Sequence, residues 1–253
     1  MAKRKLGQHF LFDKNILRKF VNEMGLTKKD NVLEIGAGRG TLTDILATTC
    51  KKIFAVEIDK WLVGFLKNKY EGFKNVEIID IDILRLEIED LPVHIAIGNI
   101  PYYITTPIIF KLIEAKNIEK FGLLMQKEVA ERIVSKPGSK SYGILSISAQ
   151  LYTVPEIKFL VKKQCFSPPP KIDSAFVVFE KKKVDKKLVE RTQELVNIAF
   201  SMRRKTLYNN LKRAYGDFAD IIFQETMLDT KIRAEQVDID TYLKMGNILI
   251  EKL

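Results

Sequence analysis

Two short segments of this chain carry residue types whose order and spacing can do chemistry. Gly36, Gly38 and Gly40 follow the apolar run Asn31 to Ile35, and Glu57 stands seventeen residues beyond Gly40, at the end of the next apolar run. Glycines let a backbone approach a ligand closely, and a carboxylate at the following strand end can accept hydrogen bonds from ribose hydroxyls. Glycines alone would also make a plain tight turn. With Glu57 and the strand context they point to a nucleoside-containing cofactor, without choosing between nicotinamide dinucleotides and other nucleosides.

The second segment is Asn99-Ile100-Pro101-Tyr102, again after an apolar run. A neutral amide, a proline-fixed turn and an aromatic ring suit an amino group attached to a flat base. The N6 amine of adenine is a weak nucleophile because its lone pair is delocalised into the ring, so it needs hydrogen-bond acceptors more than a base. The Asn99 side-chain oxygen and the Ile100 carbonyl could take its two N–H bonds and aim the lone pair at an electrophilic methyl. Tyr102 could stack on the ring, as in enzymes that act on extracted bases. An Asx turn before a helix is the structural alternative.

The elements that must hold these groups alternate. Strands are expected at Asn31 to Ile35, Lys52 to Val56, Val76 to Ile79, His94 to Gly98 and Phe121 to Met125, with helices between them. That rhythm predicts a doubly wound parallel sheet, an α/β Rossmann-like fold, whose ligands bind at the carboxyl ends of the strands. After Ser167-Pro168-Pro169-Pro170-Lys171 comes one more apolar strand, Ala175 to Phe179, and from there helical spacing dominates to Leu253. The expected division is a catalytic domain over 1–180 and a small C-terminal helical domain over 181–253.

Charge is unevenly spread. Of 253 residues, 42 are Lys or Arg and 32 are Asp or Glu, a net charge of +10. Eleven of the cations and only three of the anions lie between Lys181 and Tyr215. An anionic partner for the helical domain follows, with Arg203, Arg204 and Lys205, beside Asn209, Asn210, Lys212 and Arg213, as candidate contacts to an RNA backbone; a solvated helix face is the plainer explanation. There is no apolar run of membrane-spanning length, and Met1-Ala2-Lys3-Arg4-Lys5 leads into no apolar signal core, so a soluble, cytoplasmic protein is expected. Cys50 and Cys165 lack metal-ligand spacing and are read as free thiols; no metal is expected. Trp61 and His94 are read as packing residues.

Six segments, in order along nearly the whole chain, carry a resemblance. They are Gly7-Gln8-His9-Phe10-Leu11, Glu34 to Gly38, Asn99 to Pro107, Gln126 to Val129, Phe166 to Ala175 and Arg203 to Leu207. Together they look like the successive signatures of the KsgA-type rRNA adenine dimethyltransferases. The resemblance implies S-adenosylmethionine as cofactor and, as substrate, two adjacent adenines near the 3′ end of small-subunit rRNA, dimethylated at N6 in an assembly intermediate of the small ribosomal subunit. It implies that His9 and Leu11 cover the methionine part of the cofactor, that Gly36 and Gly38 line its turn, that Glu57 holds the ribose, that Asp82 rather than Asp80 holds the cofactor's adenine, and that Asn99 lies between cofactor and target. Phe166 resembles the family's second aromatic, which with Tyr102 flanks the target base. Where the family often has Asn, this chain has His9. A backbone contact would leave that change neutral; a side-chain contact would introduce a pH-dependent donor. A monomer is expected. Two alternatives remain: an erythromycin-resistance-type enzyme of the large subunit, and a non-catalytic RNA-binding assembly or transcription factor of the same fold. Pro107 and the Arg203 to Leu207 segment favour the small-subunit type, and intact Gly36, Glu57, Asp82, Asn99 and Tyr102 favour activity.

Overall fold

A computed structural model describes residues 9–202 and 204–253. Along the first part of the chain, β2 (Asn31–Ile35), β3 (Lys52–Glu57), β4 (Val76–Asp80), β5 (Ile95–Asn99) and β6 (Lys120–Gln126) alternate with α2 (Thr41–Thr49), α3 (Lys60–Lys69) and α4 (Thr105–Glu114), and α5 (Lys127–Ile133) follows β6. With β7 (Thr153–Val161) and β9 (Ser174–Lys181) the strands form one seven-stranded sheet in the order β4-β3-β2-β5-β6-β9-β7. The first five run parallel, and β9 is antiparallel to β6, pairing from Lys120↔Glu180 to Gln126↔Ser174. The five parallel strands match the expected positions. Strand β7 does not: its outer-edge position tolerates Pro155 and polar residues, which remove the apolar run that marks a central strand.

Chain order reverses between β2 and β5. From β2 the sheet proceeds through β3 and β4 on one side and through β5 and β6 on the other, so the crevice outside the carboxyl ends of β2 and β5 is the topological switch point. Gly36 and Asn99 sit at those two ends. A two-residue strand β1 (Phe10–Leu11) pairs antiparallel with β8 (Phe166–Ser167), with Phe10 opposite Ser167 and Leu11 opposite Phe166. This small ladder joins two segments that are far apart in sequence. Helix α1 (Lys14–Met24) follows, capped by Asp13, and buries Leu17, Phe20, Val21 and Met24 in the core. Phe20 stacks on Phe176 of β9 at 4.1 Å between ring centroids.

The chain forms two compact units, one comprising residues up to Ala130 together with Pro155–Lys181, the other Glu131–Val154 with Lys182–Leu253. The third and last crossing, at Lys181, falls where composition changes. Residues 131–154, however, belong with the helical unit, a correction to the single cut at 180/181. Tyr142 and, on α6 (Ile144–Tyr152), Ile147 and Leu151 are buried in one core with Val189, Leu195 and Val196 of α7 (Lys186–Ala199), Leu207 and Leu211 of α8 (Leu207–Tyr215), and Tyr242, Met245 and Leu249 of α10 (Ile239–Lys252). Helix α6 is more apolar than polar, so nothing in its composition tells which of two cores receives it. Helix α9 (Phe218–Thr226) completes the unit. Among the described residues no helix is long and apolar enough to cross a membrane.

Candidate active site

A cavity opens at the switch point. Its wall includes His9, Leu11, Glu34, Gly36, Gly38, Glu57, Asp82, Asn99, Ile100 and Tyr102. Residues from four strand ends and from the N-terminal segment thus meet in one place, although they are spread over more than ninety positions of sequence.

The glycine turn sets the floor. Gly36, Gly38 and Gly40 all have positive φ (74°, 59° and 75°), backbone that side chains with a Cβ rarely adopt. A Cβ on Gly36 would stand 3.3 Å from the Asn99 carbonyl oxygen, and one on Gly38 would stand 3.3 Å from the Phe10 ring. The turn therefore lies against the β5 end on one side and against β1 on the other. Glu57 locks it. Its Oε2 accepts from Gly38 N at 2.9 Å, and its Oε1 accepts from Ile58 N and Asp59 N at 2.9 and 3.0 Å. Three backbone donors fix the carboxylate and leave about one lone-pair site, on Oε2, for a ligand hydroxyl.

Of the two neighbouring aspartates, Asp82 faces the cavity and caps the short 3-10 turn Ile83–Arg85 through Leu84 N, 3.0 Å from its Oδ1. Asp80 is paired with Lys60 at 2.7 Å and does not line the cavity. Glu34, in β2, is a cavity residue to which its sequence context assigned no role. It is 1% exposed, its Oε2 has no hydrogen-bond partner, and burial, reinforced by the negative charges of Asp44 and Glu57, pushes its carboxyl up to about 8. The wall thus carries the carboxylates of Glu57 and Asp82 against one cation, Arg39, whose guanidinium lies over the Phe10 ring at 5.1 Å. Such a wall suits a ligand that is itself cationic.

Asn99 is oriented. Its Nδ2 donates to the His9 carbonyl oxygen at 3.2 Å, which assigns the amide and leaves Oδ1 as the free acceptor. Ile100 has its side chain buried, and the Tyr102–Ile104 3-10 turn follows Pro101. The Tyr102 hydroxyl shares a 2.7 Å hydrogen bond with Oγ of Ser174, the first residue of β9, and burial raises the phenol's pKa above its ordinary value. Ser174 falls within the Phe166 to Ala175 segment, but the sequence assigned it no role, because nothing local shows that it meets Tyr102. The Tyr102 ring lies against the His9 imidazole, 5.7 Å between centroids and 25° from parallel.

One expected site residue is placed elsewhere. Phe166 is 2% exposed, packed in the first unit's core, and does not line the cavity. The β1–β8 ladder decides this: Phe166 pairs with Leu11, itself a core residue, so its side chain is taken up by the interior. Trp61, read as a packing residue, is instead 70% exposed and stacked on Phe65. His94 bonds Asp30 at 3.1 Å and has no part in the cavity.

Sequence comparison gives this cavity its family. The family model described as ribosomal RNA adenine dimethylase matches residues 1–251. The chain belongs to the ribosomal RNA adenine dimethylase family. Ribosomal RNA small subunit methyltransferase A of Caldanaerobacter subterraneus is 40% identical, over 98% of this chain and 97% of its own length. The protein of the same name from Chlorobium phaeobacteroides is 40% identical, over 96% and 92%. Among solved structures, a dimethyladenosine transferase from Plasmodium falciparum superposes with a TM-score of 0.84 at 28% identity, covering 94% of this chain and 96% of that one. The 23S rRNA methyltransferase ErmE gives 0.76 at 25%, covering 96% and 100%. The α/β sheet is therefore that of the Rossmann-like methyltransferases.

The family's second requirement is a surface for RNA. In the helical unit Arg204 and Lys205 are exposed, as are Asn209 and Arg213; Arg203 lies outside the described residues. Two neighbours expected beside them have other roles. Asn210 is buried, its Nδ2 donating to the Ala199 carbonyl at 2.6 Å. Lys212 is held by Asp217 and Asp220, each at 2.8 Å, which drives its ammonium pKa upward. Helical periodicity shows a basic face but not which cations already have partners. Cys50 and Cys165 are free, and no metal-binding cluster exists among the described residues.

Proposed function

We propose that this chain transfers methyl groups from S-adenosylmethionine to the N6 amines of two adjacent adenines near the 3′ end of small-subunit rRNA. The observation that carries the reading is Asn99: its amide N–H is engaged by the His9 carbonyl, so Oδ1 is held as an acceptor at the end of β5, beside the Tyr102 ring.

The cavity residues fit the cofactor. S-adenosylmethionine supplies a methyl group on a positively charged sulfur. Glu57, fixed by three N–H donors, would hold a ribose hydroxyl, Asp82 would accept from the adenine amine, and the positive-φ turn at Gly36 and Gly38 leaves room for the backbone to approach. His9 and Leu11 close the cavity from the N-terminal side. The methionine moiety would lie there, as the family resemblance implies, near the His9 carbonyl that orients Asn99.

The rest is positioning. In the first transfer Asn99 Oδ1 and the Ile100 carbonyl accept the two N–H bonds of the target amine, and in the second one of them accepts the single N–H that remains, each time bending the nitrogen out of the purine plane so that its lone pair faces the methyl; the proton made surplus by each new N–C bond is lost to solvent. These bonds strengthen as the nitrogen becomes cationic, so they stabilise the transition state more than the ground state. Tyr102, pinned at its hydroxyl by Ser174, offers a ring face to a base taken out of its stack. The exposed Arg204 and Lys205, with Arg203, hold RNA phosphates. We assign the protein a monomeric, cytoplasmic role on an assembling small subunit.

Labelled methyl transfer from S-adenosylmethionine to purified ribosomal subunits tests the proposal. Incorporation into small subunits at N6 of adenine is expected. Labelling of large subunits alone would point to the erythromycin-resistance-type reaction, and labelling of neither would point to a non-catalytic RNA-binding role.

A further inference from the structure

The cavity wall includes Gly36, Ala37, Gly38, Arg39 and Thr41, but not Gly40. Gly40 is turned toward the far end of α3: a Cβ there would stand 2.5 Å from the Tyr70 hydroxyl oxygen and 3.0 Å from Leu66 Cδ2. Tyr70, the buried residue that follows α3, sets its hydroxyl 2.8 Å from the Gly40 carbonyl oxygen and 2.7 Å from Asp44 Oδ1. Its one proton is shared between those two acceptors. Burial, reinforced by Asp44, raises the phenol's pKa above its ordinary value, so the hydroxyl remains a donor. Lys69, the last residue of α3, completes the contact. Its Nζ donates to the Asp44 carboxylate at 2.8 Å, to the Arg39 carbonyl at 3.3 Å and to the Gly40 carbonyl at 3.5 Å.

The opposite end of the same helix serves Glu57. Ile58 N and Asp59 N donate to Glu57 Oε1, and Asp59 then caps α3 by accepting from Trp61 N and Leu62 N. Helix α3 therefore starts at the carboxylate that would hold the ribose and ends against the back of the glycine turn.

We propose that Lys69 and Tyr70 are positioning residues for the cofactor: they grip the Arg39 and Gly40 carbonyls from behind and so hold the glycine turn in its binding shape before S-adenosylmethionine arrives. The inference rests on the cofactor reading given above. Gly36, Gly38 and Gly40 all have positive φ, and glycine loses more conformational freedom than any other residue when it is fixed. A turn with three glycines, once released, has many shapes, and ordering it at the moment of binding subtracts from affinity. The grip centres on Gly40, the one residue from Gly36 to Thr41 that does not line the cavity, so it takes no contact from the ligand. The two shares are unequal. Tyr70 is buried, whereas the Lys69 side chain is 30% exposed and its charge is partly screened by solvent.

The test uses Tyr70→Phe, which removes only the hydroxyl, and Lys69→Met, which removes the charge and keeps the stem. Calorimetric titration with S-adenosylmethionine, amide hydrogen exchange of residues 38–41 in the ligand-free protein, and single-turnover methyl transfer at saturating cofactor are measured in the full chain. Affinity should fall on the order of 10-fold in Tyr70→Phe and a few-fold in Lys69→Met, the scale of one buried and one part-exposed hydrogen-bonded group. The turn amides should exchange faster in both variants and regain wild-type protection when the cofactor is bound. Transfer at saturating cofactor should stay within about twofold of wild type, because the loss falls on binding. Wild-type affinity and turn exchange in both variants, with only the melting temperature lowered, would overturn the proposal and leave the pair a role in stability alone. A slowed transfer at saturating cofactor would also overturn it, by placing the effect on the methyl-transfer step. Lys69→Met changes a partly exposed side chain, so it decides the matter if Tyr70→Phe does not fold. Failure of the wild type to bind S-adenosylmethionine would refute the cofactor reading, whereas a wild type that binds beside variants that bind equally well would refute only the grip.

Discussion

The cavity of the sheet unit and the basic segment of the helical unit solve opposite electrostatic problems. In the cavity the carboxylates Glu34 and Glu57 are buried, Asn99 is partly buried, and backbone holds the working groups: three N–H donors fix Glu57, one carbonyl orients Asn99, and Glu34 is enclosed with no partner for its Oε2. Around residue 204 the cations are exposed, and a buried amide, Asn210, ties the segment down from beneath by bonding the Ala199 carbonyl. The contrast follows from dielectric. A buried group acts strongly and in one direction, so a reaction centre is made of a few of them, whereas exposed charges are each screened and weak, so a polyanion is held by several at once. Removing one cavity group should therefore be costly and specific, and removing one surface cation should be mild and salt-dependent.

The sharpest test of that contrast is Asn99→Ala. Loss of one preorganised acceptor should slow single-turnover methyl transfer on the order of 100- to 1000-fold while leaving small-subunit affinity unchanged. A wild-type single-turnover rate would remove Asn99 from the mechanism and with it the idea that the cavity works through a few decisive groups.

Glu34 tests the contrast through stability. Its carboxyl titrates at about 8 in the folded protein against an ordinary value of 4.5, so between those pH values the folded state holds a proton that the unfolded state has released. The folded state is then favoured at low pH and loses that advantage as pH rises from about 4.5 to about 8. Glu34→Gln, which is neutral throughout, should flatten this dependence, and the difference in melting temperature between about pH 5.5 and about pH 8.5 should shrink by a few degrees in the ligand-free protein. Equal pH dependence in the two proteins would show that Glu34 is solvated and that the cavity is less enclosed than its geometry indicates.

The smallest effect is expected at the surface. The double variant Arg204→Ala, Lys205→Ala should weaken binding to small subunits several-fold at moderate salt and lower the slope of log affinity against log salt by about 0.7 to 0.9 for each phosphate that is no longer neutralised. S-adenosylmethionine affinity should not change. A steep loss with no change in slope would mean that these residues read something other than phosphate charge.

Much of the fold was legible in the chain because its central strands are apolar on both faces and end in residues with a restricted backbone role. Gly36, Glu57 and Asn99 could each be placed at a strand's carboxyl end from local pattern alone, and a doubly wound sheet brings such ends together. The preference for Asp82 over Asp80 came from sequence likeness; in the structure Asp82 lines the cavity and Asp80 pairs with Lys60. What local pattern does not encode is partnership across long sequence distance. Strand β1 consists of two residues, and its pairing with β8 bridges more than 150 positions. That pairing turns Phe166 inward and brings His9 to Tyr102 and Pro168.

Sequence by itself determined the alternating sheet, the order of its glycine-turn, Glu57 and Asn99 motifs at the strand ends, and the location of the basic segment, because periodicity, glycine turns and charge are properties of neighbouring residues. Only the tertiary structure decided which core takes α6, which aromatic faces Tyr102, and which cations of the basic segment are held by carboxylates. Each of those outcomes depends on packing and hydrogen bonding between segments that approach one another only when the chain is folded, where burial removes a group from solvent and a single partner fixes its orientation.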